Sequence, residues 1–227
     1  MTARLNHQHT DKRYEEGLQH LKAEILKMGG LVDAMIGQAM RALTQRDLEI
    51  ARQVRSSESE VNALEMAIDD LALELLALHQ PAASDLRFLT MGFRISKDLE
   101  RMGDLAVNLA ERAEMLANEH PLSPSVDLPQ LGVVVQKMTH ESLDAFVHRD
   151  AALAKAVCEM DDAADSCNRR LFADLTTLIQ QQPDTALRAI NLVLAARDLE
   201  RIADHATNIA EEVIFMVEGR DIRHGQT

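Results

Sequence analysis

A stretch of fourteen residues occurs twice in this chain, one hundred residues apart. The first copy runs Asp98-Leu99-Glu100-Arg101-Met102-Gly103-Asp104-Leu105-Ala106-Val107-Asn108-Leu109-Ala110-Glu111. The second runs Asp198-Leu199-Glu200-Arg201-Ile202-Ala203-Asp204-His205-Ala206-Thr207-Asn208-Ile209-Ala210-Glu211. Nine of the fourteen positions are identical, where ordinary residue frequencies give about one match. The recurring residues are mostly polar: Asp, Glu, Arg, Asp, Asn and Glu. A core tolerates exchange among apolar residues of similar size. Polar residues repeated at fixed spacing therefore point to a site present once in each half.

On a helix, at 100° per residue, the stretch sorts into two sides. Ile95, Leu99, Met102, Ala106, Leu109 and Ala113 form an apolar side. Lys97, Glu100, Arg101, Asp104, Asn108 and Glu111 cluster opposite it. Glu100, Asp104 and Asn108 follow one another at single-turn intervals, as do Glu200, Asp204 and Asn208. Acids at i,i+4 destabilise an isolated helix by ~0.2–0.5 kcal/mol. Such a stack could hold a metal ion, or two ions bridged by carboxylates. The plain alternative is a solvated face neutralised by Lys97 and Arg101.

Composition and periodicity define the frame. Apolar residues make up 46% of the 227, only 3% are aromatic, and there are nine Gly and five Pro. That is the make-up of a helical bundle. Helical spacing predicts helices over about 11–45, 48–79, 81–118, 129–147, 151–181 and 184–218. Gly29-Gly30 interrupts the first; two helical glycines cost about 1 kcal/mol each, so a bend or a close backbone approach is expected there. Arg46-Asp47 recurs at Arg149-Asp150, and Gln80-Pro81 at Gln182-Pro183. The chain is thus expected to be all-α, elongated, with six long helices in two tandem, sequence-related three-helix bundles. The expected divisions are a disordered 1–10, a first bundle over 11–118, a Pro-rich linker over 119–128, a second bundle over 129–218 and a tail over 219–227.

Short turns make neighbouring helices antiparallel. Facing residues should then sum to about 161 in the first half and about 364 in the second. This sets Glu58 and Asn62 beside Glu100 and Asp104, and Asp161 and Asp165 beside Glu200 and Asp204. Each half gathers four acidic or amide side chains on the bundle surface. Such a cluster repels itself without a cation or a basic partner. Oxygen-rich ligands suit magnesium, manganese, iron or zinc.

The formal net charge of −13 argues against nucleic acid as the main partner. Cys158 and Cys167, about 180° apart on one helix, cannot bond each other. Free thiols fit a reducing compartment. With no signal-peptide run or apolar span, a cytoplasmic protein is expected, with any membrane contact made through a partner. His140-Glu141-Ser142-Leu143-Asp144 matches a zinc-protease pattern only in part, since Asp144 stands where the second His belongs. Gly-rich phosphate loops and GxSxG are absent.

The chain resembles the PhoU family of bacterial phosphate-uptake regulators over roughly residues 10–224. The resemblance rests on Met28-Gly29-Gly30, Gln80-Pro81-Ala82-Ala83-Ser84-Asp85-Leu86-Arg87, both Asp-Leu-Glu-Arg copies and Gly219-Arg220-Asp221-Ile222-Arg223-His224. It implies two similar three-helix bundles, often in a homodimer, with iron or zinc clusters on the bundle surface and manganese or magnesium as alternatives. The implied ligands are Glu58, Asn62, Glu100, Asp104 and Asn108 in the first half and Asp161, Asp165, Glu200, Asp204 and Asn208 in the second. Arg101, Arg201, Glu111 and Glu211 would support them. Asn62 stands where the motif ends in an acid, which sets the first site apart. The implied role is negative regulation of phosphate uptake and of the phosphate-starvation response. The implied partners are the PstB-like ATPase of the phosphate ABC transporter and a PhoR-like sensor kinase. Rival readings are a helical adaptor with incidental metal and a metal-dependent phosphatase or oxidase.

Overall fold

The structure, a computed structural model, describes the backbone of residues 3–79, 81, 83–122 and 127–220, and side chains from residue 12 onward. The chain folds as α1 (Ala3–Gln45), α2 (Leu48–Leu78), α3 (Ala83–Leu116), α4 (Leu128–His148), α5 (Ala151–Gln181) and α6 (Ala186–Glu218). A single 3-10 turn, Pro183–Thr185, precedes α6. The helix α1 begins at Ala3, inside the stretch expected to be disordered. Residues 221–227 of the expected tail, and 123–126 of the expected linker, lie outside the described residues.

The two Arg-Asp turns are built alike. Arg46 and Arg149 end their helices in the left-handed region, with φ of 58° and 51°. That conformation costs a residue with a Cβ roughly 1–2 kcal/mol. Asp47 and Asp150 then cap the next helix. Asp47 accepts from Glu49 and Ile50 N–H at 2.9 and 3.1 Å, and Asp150 from Ala152 and Leu153 N–H at 2.9 and 3.0 Å. Each cap satisfies two of the first turn's orphan donors, worth about 1 kcal/mol.

α1, α2 and α3 pack on one another, as do α4, α5 and α6. The halves meet where α3 packs on α6 and α1 on α4, so one hydrophobic core runs through both. The glycines of α1 explain the second contact. α1 runs through Gly29 and Gly30 without a break; the close approach is at Gly29, while Gly30 faces open space. A Cβ on Gly29 would sit 2.7 Å from Leu143 Cδ2, and one on Gly132 would sit 2.6 Å from Met40 Cε. Gly29 and Gly132 are repeat counterparts, and so are Met40 and Leu143. The same knob and socket occur twice, related by a pseudo-two-fold axis.

The α3–α6 contact is antiparallel and held by polar pairs. Arg112 Nε donates to Asp198 Oδ2 at 2.8 Å, with side chains only 19% and 7% exposed. Arg94 bonds Glu212, itself 7% exposed, at 2.9 Å. His205 Nδ1 lies 2.8 Å from Asp98 Oδ1, and the Asn208 amide donates to the same oxygen at 3.4 Å. Removing one partner of a buried pair strands the other charge at a cost of ~3–5 kcal/mol, whereas replacing both by apolar groups is often neutral. Arg112→Met should therefore lower unfolding stability by about 3 kcal/mol in urea titrations. Arg112→Met with Asp198→Leu should recover most of it, and a double variant no more stable than the single would contradict the pairing.

Candidate functional site

The register places the acids where the repeat requires. In the first half, Val61 Cγ1 lies 3.3 Å from the position of a Cβ on Gly103, and Lys97 Nζ bonds Glu65 at 2.9 Å. These pairs match the expected facing sum to within a turn. In the second half Thr207 Oγ1 bonds Asp161 at 3.3 Å, about one turn beyond the expected level with Ala203. Glu200 with Asp165, and Asp204 with Asp161, keep the expected level, so the Thr207 bond is a side-chain reach of one turn.

The first strip is half neutralised. Glu58, Glu100, Asp104, Asn108 and Glu111 are half-buried along α2 and α3, while Asn62 and Arg101 are exposed. Lys97 Nζ also lies 3.4 Å from Glu100 Oε2, and Arg101 Nε lies 3.6 Å from it. Among the described residues that buried oxygen has no hydrogen-bond partner of good geometry, and Lys97 and Arg101 approach it at ion-pair distance. Its bond to Glu65, above all, holds the Lys97 amine above its ordinary range.

The second strip is not neutralised in this way. Asp161, Asp165 and Glu200 are half-buried and Asp204 is exposed. Burial, then the charges of Asp204 and Asp165, raises the Glu200 carboxyl. Burial, then Asp161 and Asp165, raises Asp204 against weaker opposition from His205 and Arg201. Burial, with Asp165 and Asp162 adding to it, raises Asp161 despite the Thr207 hydroxyl. Asp165 bonds Arg169 on its own helix at 3.0 Å. Four carboxylates thus feel one another.

One expected ligand lies differently. Asn208 turns its amide to Asp98 across the junction, away from the strip, and His205 is half-buried against the same carboxylate. Glu211 stands near Cys158, whose thiol burial, Glu211 and Asp161 push up to about 11. Both cysteines are free. His140 lies against Asp144 at 3.6 Å and Asp33 at 4.0 Å, on the α1–α4 side. Asp98 and Asp198 were not read from sequence as junction residues. Two signals point to them: Asp98 flanks the apolar seam on the side opposite Glu100, and the repeat exchanges Arg112 for Glu212.

Among the described residues, no three His, Cys, Asp or Glu side chains already converge as a ligand set for one ion. The donor chemistry of the second strip nonetheless fits a hard or borderline cation: carboxylate oxygens on two adjacent helices, those of Asp161, Glu200 and Asp204 raised first by burial and then by neighbouring charges. The first strip, with Asn62 for an acid and Lys97 across it, fits less well.

The architecture defines a class: a tandem pair of pseudo-symmetric three-helix bundles with an acidic strip on each. The PhoU domain is matched twice, over residues 25–113 and 128–213. The chain belongs to the PhoU family. It is 40% identical over 218 residues to the phosphate-specific transport system accessory protein PhoU homolog of Pseudomonas aeruginosa, covering 95% of this chain and 90% of that protein. The homolog of the same name from Aquifex aeolicus is 39% identical, over 91% of this chain and 94% of its own length. The crystal structure of PhoU from Pseudomonas aeruginosa superposes with a TM-score of 0.89 at 39% identity, over 91% of this chain and 100% of that one. The phosphate transport system regulatory protein PhoU from Streptococcus pneumoniae does so at 0.85 and 27% identity, over 92% and 98%. Among the described residues, no helix is long and apolar enough to cross a membrane.

Raised carboxyls give stability a sign. The folded chain holds these protons more tightly than the unfolded one, so the strip's penalty is full above the raised folded values and is relieved as pH falls toward the ordinary carboxylate range. Asp204→Asn should stabilise chelator-treated protein at pH 7 by a few tenths of a kcal/mol, roughly, given its exposure. The gain should fade in melts at acid pH. An unchanged gain at low pH would contradict a charge origin.

Proposed function

We propose that this chain is a regulatory accessory protein of phosphate-specific transport. It acts as a negative regulator of phosphate uptake and of the phosphate-starvation response. The single observation that carries this reading is the matched pair of PhoU domains spanning both halves. The relatives' names describe an accessory or regulatory protein of phosphate transport, not an enzyme. Its means is protein contact: an acidic chain of net charge −13 docks on basic cytosolic surfaces of the transporter ATPase and of the sensor kinase.

Metal enters as a part of this proposal. Asp161, Asp165, Glu200 and Asp204 would hold a hard or borderline cation, iron or zinc first and manganese or magnesium as alternatives. The ion would neutralise the strip and offer open coordination positions to a partner's acidic groups. Glu58, Asn62, Glu100, Asp104 and Asn108 would form the weaker counterpart. Arg101 and Arg201 orient carboxylates, and Glu111 and Glu211 support them. A homodimer accords with the resemblance that prompted this reading.

Two measurements test the proposal. Untagged protein should retain transition metal on elemental analysis, and Asp204→Ala should lower the retained metal about tenfold, more than Asp104→Ala does. The protein should capture the transporter ATPase from solution and show no turnover of phosphate esters. Capture that fails with metal-loaded protein, or ester turnover lost in Asp204→Ala, would overturn the regulatory reading.

A further inference from the structure

A cavity of about 250 Å³ opens where the ends of α1 and α3 meet the starts of α4 and α6. Leu43, Leu116, Leu128 and Leu192 wall it, and Arg46 and Arg188 stand at its polar side. The duplication shows what a chain of this kind puts in that place. The repeat counterpart of Leu43 is Phe146, that of Arg188 is Phe88, and that of Arg46 is Arg149. At the counterpart end Phe88 and Phe146 stack with centroids 6.0 Å apart and planes at 8°. Arg149 Cζ lies 5.7 Å from the Phe88 centroid. Two buried rings under an arginine fill the space.

At the cavity end both rings are missing from the sequence. Leu43 is smaller than Phe146, and the Arg188 guanidinium donates to the His120 carbonyl at 3.2 Å and pairs with Asp184 at 3.8 Å. The volume is left over. Arg46 keeps the left-handed backbone of its counterpart, φ 58° against 51°. Backbone strain of this kind persists where the surroundings use it. Arg149 has a ring to cover, whereas among the described residues Arg46 has no ring, carboxylate or hydrogen-bond partner for its guanidinium.

We propose that this cavity is a binding site for a small, single-ring aromatic carboxylate. The ring enters among the leucines, in the place that Phe88 and Phe146 hold in the other half. The carboxylate meets Arg46. An apolar cavity of about 150 Å³ accepts benzene, so this one has room for a ring and a short acid chain. Apolar walls with a few convergent polar groups are the usual make-up of a ligand pocket. A guanidinium matches a carboxylate by charge and by bidentate geometry. The inference is independent of the acidic strips and of any metal on them.

The test titrates 3-phenylpropanoate, and its neutral amide as control, into the full chain by calorimetry. Wild type should bind both saturably, the carboxylate more tightly. Arg46→Gln should weaken the carboxylate about tenfold and leave the amide unchanged. Leu43→Phe returns one of the two rings, in the place the ligand's ring would take, so it should abolish both and raise the melting temperature. Should Leu43→Phe fail to fold, the Arg46→Gln comparison decides alone. No saturable binding by wild type overturns the proposal. So does binding that survives Leu43→Phe in a folded protein, or an Arg46→Gln variant that binds both compounds as wild type does.

Discussion

Arg112 reaches Asp198 across the α3–α6 junction with both side chains largely removed from water, and the arrangement of the halves depends on that contact. A buried ion pair adds little net stability over an apolar pair. Its value lies in register. An antiparallel helix pair lined with small apolar residues could slide by a turn at small cost. Arg112–Asp198, Arg94–Glu212 and Asp98 with His205 close together in one alignment only. That alignment sets the Gly29–Leu143 and Gly132–Met40 sockets on the opposite side. It also fixes which flank of α3 and α6 is left for the acids.

One repeated motif thus serves two surfaces. Its leading Asp faces the other half, and its Glu-x-x-x-Asp faces the neighbouring helix of the same half. The helical period made the second use legible: Glu100, Asp104 and their counterparts lie off the apolar seam, and short turns bring α2 beside α3. The same reasoning located the two Arg-Asp turns and allowed a close approach at Gly29, while the caps that Asp47 and Asp150 make there emerge only with the structure. The first use was hidden because it needs the packing of α3 on α6, which no local pattern encodes. Asn208 read as a strip residue until that packing turned it to Asp98, where His205 joins it.

The halves have drifted apart in chemistry while keeping their geometry. The first strip carries Asn62 and a lysine bridging Glu65 and Glu100. The second carries Asp165 and a set of carboxyls raised by burial and by one another. Burial and self-repulsion raise the carboxyls of the second half, whereas in the first half Lys97 supplies a compensating positive charge. The same divergence sets two stacked rings at one end of the junction and a cavity at the other. In a duplicated protein, each half serves as the control for the other.

The central claim is that the second strip is a cation site and the first its weaker relative. An anomalous-scattering map from crystals grown with zinc or manganese tests it directly. The account predicts a peak beside Glu200 and Asp204 in contact with Asp161 or Asp165, stronger than any peak beside Glu100 and Asp104. A saturated crystal with no peak at the second strip, or with the stronger peak at the first, would contradict it.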